Sequence, residues 1–442
     1  MKKIAFAFIL LGLIALILGA TFGTLAGIQY LNEDFLKDVL AFNKLRPFHV
    51  SSVLGWIILT ATGGIYYYLT YELKLTPFSK KISTIHFLLF LLSGFAIYLS
   101  YSLGKMGGRE YFAYAPIITI PIILGWLLFA INYFKTVRQH AKGWPVYLWM
   151  WGTGIIFMIF HISETYLWQI PFFRDNFIRD LTVQWKSYGS LAGSWNMLVY
   201  GTSIFLMARI KKDENIARGK KAFFFYFLGL TNLMLGWAHH TYLVPTQPWV
   251  RALAYVISMT EWIVLISIII DWKRSLSEKK KADNNMAYKF LIATDFWVFI
   301  NLIIALLISI PYINLFTHGT HITVAHSMGT TIGINTTILL ASVFFIVSQQ
   351  ANNILIKHKS LLQSAYWFFN TCLLIFFIAL LMGGVEKSIW QYFTENPSTF
   401  GEMQNGIKSY MLVFLIAGFG ILFSFILLVF PILKGLFTSL RK

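Results

Sequence analysis

The chain has 442 residues, of which 57% are hydrophobic, 18% aromatic and only 12% charged, and its formal net charge at pH 7 is +18. A soluble domain of this size carries about 25% charged residues, so the composition excludes a large soluble core, a disordered chain, a collagen-like fibre and a disulfide framework. Apolar stretches of about 20 residues recur throughout, each long enough to cross ~30 Å of hydrocarbon. The sequence therefore predicts a polytopic membrane protein with one domain, residues 1–442.

Twelve apolar spans can be drawn in chain order, and each predicts a transmembrane helix. The first follows a basic start, Met1-Lys2-Lys3, but its apolar run reaches about Tyr30. That run is too long for the apolar region of a signal peptide, so we expect a retained span. The predicted spans are residues 4–31, 46–71, 83–104, 115–134, 145–169, 189–208, 222–244, 250–271, 288–312, 319–349, 362–384 and 409–438.

The loops between these spans alternate in charge. The loops after the even-numbered spans, together with both chain ends, hold 25 of the 36 basic residues on one side of the membrane. Because basic loops stay in the cytoplasm, we predict that both termini are cytoplasmic and that the protein lies in a bacterial-type inner membrane. Topology and lipid contact explain the positive charge, so no nucleic-acid partner is needed.

Polar side chains inside the predicted spans are unevenly placed. In this topology five spans bring such groups into the outer half of the bilayer, where ionisable residues are costly and usually functional. A single one of these residues would indicate only an interfacial or satisfied core histidine. Together they favour haem or a metal, because neutral imidazole suits haem iron, non-haem iron, copper and zinc. The residues are His49, His161, Glu164, Asn196, His239, His240, His321 and His326.

The adjacent pair His239-His240 is informative because neighbouring residues on a straight α-helix point about 100° apart. The two can bind one metal only where the helix end loosens, and Pro245 and Pro248 follow closely. In span 10, His326 and Met328 are two residues apart and so project from different faces. One helix could therefore serve two cofactors.

These segments resemble, in order, motifs of the catalytic subunit of the haem–copper oxidase superfamily, and specifically of its nitric oxide reductase branch. The resemblance implies an all-α bundle of twelve transmembrane helices with both termini cytoplasmic. It also implies a low-spin haem b, a high-spin haem b and a non-haem metal, iron or else copper. The matching segments are Leu45-Arg46-Pro47-Phe48-His49, Gly108-Arg109-Glu110-Tyr111, Gly236-Trp237-Ala238-His239-His240-Thr241-Tyr242 and Thr317-His318-Gly319-Thr320-His321-Ile322-Thr323-Val324-Ala325-His326.

The family pattern assigns roles to particular positions. It implies that His49 is an axial ligand of the low-spin haem and that His326 holds the high-spin haem. It implies that His239 and His240 bind the non-haem metal. Relatives carry a second low-spin ligand, a histidine, where this sequence has Met328. A thioether can ligate haem iron and raises its potential relative to two histidines; the alternative is that Met328 only packs.

The third ligand of the non-haem metal is a second departure from the family. Relatives supply a histidine from span 6, which aligns with Asn196, and Tyr200 follows four residues later. Without that histidine, the histidine–tyrosine crosslink of oxygen-reducing members cannot form. The replacement could come from span 5, because His161 and Glu164 share a helix face at i, i+3, a spacing that serves di-iron sites in bundles. A proton-path or propionate-side role is the alternative for both.

The function implied by the resemblance is reduction of two nitric oxide molecules to nitrous oxide and water. A divergent oxygen-reducing terminal oxidase and a non-catalytic haem sensor or electron carrier are the alternatives. An oxygen ligand such as Glu164 would favour iron over copper. Glu261 and Glu164 are the predicted proton relays, since reductases carry a glutamate where Glu261 stands in span 8.

The resemblance also bears on the surroundings of the haems. Arg109, Arg251 and His318 are the predicted partners of the haem propionates, with solvated loop charges as the alternative. The acid that follows the Gly-Arg-Glu-Tyr motif in many relatives is missing, which makes their bridging calcium doubtful here. The sequence has no CxxCH haem-attachment motif and no dinuclear copper motif. We therefore expect a separate electron-donor subunit that carries haem c or a copper centre.

Overall fold

The computed structural model describes residues 1–140, 143–257, 270, 285–395 and 398–441. Within these ranges the chain forms helices and no strand, as expected for spans that must satisfy their backbone groups without water. Twelve principal helices, numbered here in chain order, position the site. They are α1 Lys2–Gln29, α2 Phe42–Tyr67, α3 Lys80–Ser102, α4 Thr119–Val137, α5 Val146–Glu164, α6 Phe177–Lys211, α7 Lys220–Leu235, α8 Pro248–Ile257, α9 Asn285–Ser309, α10 His321–Lys357, α11 Lys359–Tyr392 and α12 Lys408–Arg441.

Nine helical segments in the described part of the chain are long and apolar enough to cross a membrane, which supports a multi-pass protein. Among the principal helices, α6, α7 and α8 fall outside this group. Helix α6 covers the predicted span 189–208 but begins with a polar stretch that includes Asp180 and Lys186. Helix α7 ends at Leu235, and α8 is described only as far as Ile257. The total of twelve spans stays a prediction.

The bundle is built from helices that pack along one another in pairs. Helix α1 lies along α2, α5 along α6, and α11 along α12, while α12 also returns to α1. Helix α10 is the most buried of the nine spans, and it contains a π-helical segment, Gly329–Thr336. His326 and Met328 come immediately before that segment. The most enclosed helix therefore carries two of the predicted haem ligands.

We predict that reporter fusions will place both chain ends in the cytoplasm, because basic loops resist translocation. Alkaline phosphatase fused to the C-terminus should be inactive, since its disulfides do not form in the reducing cytoplasm. The same enzyme inserted after Asp175, between α5 and α6, should be active. Activity at the C-terminus with none after Asp175 would show the opposite orientation.

Candidate functional site

The ring of His49, near the start of α2, is held by α1. Its Nδ1 lies 2.7 Å from the carbonyl oxygen of Gly19. Because a carbonyl oxygen only accepts, Nδ1 carries the proton, and Nε2 keeps the lone pair that a metal needs. A Cβ atom at Gly23 would lie 2.7 Å from the same Nδ1, so the close approach of α1 requires glycine there. This hydrogen bond orients the ring as a ligand histidine is usually oriented.

Helices α2 and α10 lie side by side in a register that brings Met328 to the depth of His49. The indole Nε1 of Trp56 donates a 3.0 Å hydrogen bond to Thr336 Oγ1. Seven residues earlier on each helix stand His49 and Gly329, and Met328 precedes Gly329. Met328 is partly buried against the core. The two side chains therefore lie at a similar depth, and their roles as ligands of one haem stay a prediction.

His326 is contacted by α9. The side-chain amide of Asn301 lies 3.2 Å from His326 Nδ1 and 3.0 Å from the His326 carbonyl oxygen, and it also contacts Thr330. Asn301 is itself buried, with 3% of its surface exposed. The ring of His326 is thus contacted by a side chain of a neighbouring helix, and its role as a haem ligand stays a prediction.

The His239-His240 pair lies beyond the α-helical part of α7, in a coil that is tighter than an α-helix, whereas the sequence predicted a looser one. Helix α7 ends at Leu235, and Gly236–Thr241 continues as a 3₁₀ helix. His239 is half-buried, and the side chain of His240 lies outside the described residues. The tighter coil changes the angle between the two residues from that of a straight α-helix.

His161 and Glu164 form one cluster with Lys186, which stands on α6. The Nδ1 of His161 lies 2.7 Å from Glu164 Oε2, and the Lys186 ammonium donates to both Glu164 oxygens. His161 is 3% exposed, and its Nε2 has no hydrogen-bond partner in the described part of the chain. The spacing of His161 and Glu164 predicted that they share a face, and the structure confirms it.

Helix α6 provides a scale for comparing depths across the bundle. A Cβ at Gly154 on α5 would lie 2.8 Å from the Ser194 carbonyl oxygen, and a Cβ at Gly193 would lie 3.1 Å from Leu233 on α7. His161 lies seven residues outward of Gly154, and His239 lies six residues outward of Leu233. At a rise of ~1.5 Å per residue, both reach about the same level of α6, close to Ser187. The two histidines agree in depth to about one helical turn.

Asn196 lies deeper than these histidines. Its Oδ1 accepts a 3.0 Å hydrogen bond from Asn335 Nδ2 on α10. Following α6 and α10 outward from this bond by nine residues places His326 at the level of Ser187. Asn196 is therefore ~13 Å below that level. Its role as a metal ligand stays a prediction, and no three His, Cys, Asp or Glu side chains among the described residues gather tightly enough to hold a metal.

The predicted propionate partners have protein contacts of their own. Arg109 Nη1 lies 2.6 Å from Asp180 Oδ1, and its guanidinium stacks 4.7 Å from the Trp168 ring. Arg251 Nη1 lies 3.4 Å from the Tyr242 carbonyl oxygen.

His318 ends a short helix, Pro311–Thr317, just before α10. Burial lowers the pKa of His318, so its ring is neutral near pH 7 and offers a hydrogen bond rather than a charge. Glu261, the predicted relay, lies outside the described residues.

Sequence reasoning missed two buried or partly buried polar groups. Lys186 precedes predicted span 6 and looks like a loop charge, although it pairs with Glu164 across two helices. His86 looks like a cytoplasmic-end residue, yet it is fully buried in α3 with Nδ1 3.1 Å from the Tyr66 hydroxyl. The sequence did contain a signal for Lys186. This lysine lies three residues before predicted span 6, which has no other basic residue until its far end.

Comparison with known proteins identifies the family of the chain. The family described as Cytochrome C and Quinol oxidase polypeptide I matches residues 3–420. The chain belongs to this family. Haem and a binuclear haem–metal centre are therefore implied for this member of it. The ring of His49, with Nδ1 bonded to a carbonyl oxygen, and the buried, unpartnered Nε2 of His161 fit these groups, as judged on the described residues.

Individual relatives are more distant. A nitric oxide reductase subunit from Stutzerimonas stutzeri is 21% identical over 345 residues, covering 74% of this chain and 71% of the relative. Cbb3-type cytochrome c oxidase subunit CcoN1 of the same organism is 24% identical over 280 residues, covering 58% of this chain and 56% of the relative. A haem–copper terminal oxidase dimer solved by cryo-EM matches 98% of this chain and 84% of its own, with a TM-score of 0.74 and 15% identity. The likeness to that dimer shows that the chain has its fold.

We predict that Gly23→Ala disturbs the low-spin haem, because the added Cβ would meet the His49 ring at 2.7 Å. Overpacking of this kind costs ~1–3 kcal/mol. Optical spectra of the purified protein should show less low-spin haem with the high-spin signal retained. We expect the same change, to a greater extent, in His49→Ala. Gly94→Ala is the matched control, since nothing lies within 4 Å of its Cβ. Equal spectra for both glycine variants would separate Gly23 from haem binding.

We predict that Met328→His lowers the reduction potential of the low-spin haem, because imidazole stabilises ferric iron more than a thioether does. A spectroelectrochemical titration of parent and variant measures the change. Met382→His, on the exposed surface of α11, is the control and should leave the potential alone. An unchanged potential in Met328→His would mean that Met328 only packs.

Proposed function

We propose that this protein is a membrane-bound nitric oxide reductase, which converts two NO, two electrons and two protons into N₂O and water. The observation that carries the proposal is the composition of α6. This helix is described from Phe177 to Lys211 and contains no histidine. The histidine–tyrosine crosslink expected of an oxygen-reducing relative therefore has no histidine on the helix of Tyr200. The match to a nitric oxide reductase subunit over 74% of the chain supports the same function.

The residues divide the work of holding the cofactors. His49 and Met328 would hold the low-spin haem b, and His326 the high-spin haem b. His239 and His240 would hold the non-haem metal, which we propose to be iron. When bound, these groups would pass on electrons from the donor and coordinate the gas. Residues that hold two such groups side by side would let two gas molecules meet, which makes N–N bond formation a question of proximity.

Protons would reach the site from the outer surface. The Glu164 side chain is 30% exposed, so its carboxylate could take up protons at the outer surface, beside the buried ring of His161. Arg109 Nη1 and Asp180 Oδ1 lie 2.6 Å apart near the start of α6, the helix that also carries Lys186. The relay role of Glu261 remains part of the proposal.

Electrons would come from a separate donor subunit with haem c or a copper centre. The chain itself has one cysteine, Cys372, which is buried in α11. The two relatives from S. stutzeri are each named as a subunit. The lipid-facing helices leave the outer loops as the surface for such a donor.

An oxygen-reducing terminal oxidase is the second candidate. The match to CcoN1 over 280 residues favours it, as does the likeness in fold to a terminal oxidase. The missing span-6 histidine weighs against it.

We predict that the purified protein with an artificial electron donor consumes NO and forms one N₂O for every two NO, because both nitrogens enter one product. Gas-phase detection of N₂O and an NO electrode measure the ratio. Oxygen uptake under the same conditions should be at least tenfold slower. Faster reduction of oxygen than of NO would make the protein a terminal oxidase.

A further inference from the structure

We propose that His161 on α5 is the third protein ligand of the non-haem metal, and that Glu164 and Lys186 position it. Relatives are expected to use a histidine of span 6 at this place. The inference rests on the metal centre of the proposed function but not on which gas is reduced there.

The first support is the hydrogen bonding of the His161 ring. Glu164 Oε2 lies 2.7 Å from Nδ1 and, as a carboxylate, can only accept, so Nδ1 carries the proton. The lone pair is then on Nε2, which is buried without a hydrogen-bond partner among the described residues. A histidine that donates one ring N–H to a carboxylate and keeps the other nitrogen free has the arrangement of a zinc or iron ligand.

The second support is the state of Glu164, which makes it the orienting group and not the ligand. Both of its oxygens accept from the Lys186 ammonium, and Oε2 also accepts from His161. Its side chain is 30% exposed, whereas that of His161 is 4% exposed. These bonds to Lys186 and His161 occupy both Glu164 oxygens. A fixed negative charge at Nδ1 makes Nε2 a stronger donor toward a metal.

The third support is position. Helices α5 and α7 both pack on α6, and they also touch directly, with Thr153 Oγ1 2.8 Å from the Tyr226 hydroxyl. On the α6 scale His161 and His239 lie at one depth to about one helical turn. Asn196 lies ~13 Å deeper, and its amide is bonded to Asn335. Of the two helices that could replace the missing ligand, α5 has an imidazole at the right level.

The experiment measures metal content and haem content of protein purified from membranes. Non-haem iron is total iron minus haem iron, and copper and zinc are counted in the same mass-spectrometric run. His161→Ala should lose more than half of the non-haem metal while both haems stay, and imidazole added with Fe²⁺ should restore the metal. If the alanine variant inserts poorly, His161→Gln provides the same test, because it keeps most of the side-chain volume. This variant should also lose the metal.

Two further variants separate a ligand from a packing residue. His86→Phe is the matched control, because His86 is also fully buried with Nδ1 bonded and Nε2 unpartnered among the described residues, but it lies on α3 among aromatic rings. The His86→Phe variant should keep its non-haem metal. Glu164→Gln should retain the metal but bind it ten- to a hundredfold more weakly in a chelator titration, as expected of an orienting carboxylate.

Several results would overturn the inference. Normal metal in both His161 variants, or no recovery with imidazole, would remove His161 from the ligand set. Complete metal loss in Glu164→Gln with retention in His161→Ala would make Glu164 the ligand. Absence of non-haem metal from the parent protein would defeat the metal centre itself, and with it this inference. Metal behaviour as expected without NO consumption would defeat only the proposed reductase activity.

Discussion

The structure depends on one constraint, which is that hydrocarbon offers no hydrogen-bond partner, so each polar side chain in the bundle must find its partner in the protein or in a cofactor. The Nδ1 atoms of His49 and His161 take a backbone carbonyl and a carboxylate. A buried nitrogen without a partner costs about 1–3 kcal/mol. For a ligand histidine the bond to metal removes that cost, so cofactor binding and folding are coupled.

Most of the helices could be predicted from hydropathy, because a lipid-facing helix must be apolar over about 20 residues whatever its neighbours are. Helices α1–α5 and α9–α12 follow this rule. Helix α6 does not, since its outer end is polar and pairs with α5 and with the loop of Arg109. Helix α7 is short because the chain changes to a 3₁₀ helix after Leu235, before the histidine pair. Composition does not predict where such a change occurs.

Of the candidate site, the local features could be predicted and the contacts between helices could not. The i, i+3 spacing predicted that His161 and Glu164 share a helix face, and the nearby prolines indicated that a straight α-helix does not continue through His239. Lys186 and Asn301 act on residues 22 and 25 positions away, on other helices, and no spacing rule reaches across that distance. The depth of Asn196 likewise depends on how α6 slides against α10.

The π-helical segment Gly329–Thr336 has a consequence for how this helix can change. Its i to i+5 bonding holds one more residue per turn than an α-helix would, so a single-residue deletion there can be absorbed as ordinary α-helix. The part from His321 to Met328 would then keep the direction in which it faces, and the buried part from Thr337 onward would keep its packing. A one-residue change of length in this segment therefore leaves the residues on its outer side in their present orientation. Under the proposed ligation, exchange of a histidine for a methionine at position 328 would likewise alter the redox chemistry of the protein while the most tightly packed section of the bundle stays as it is.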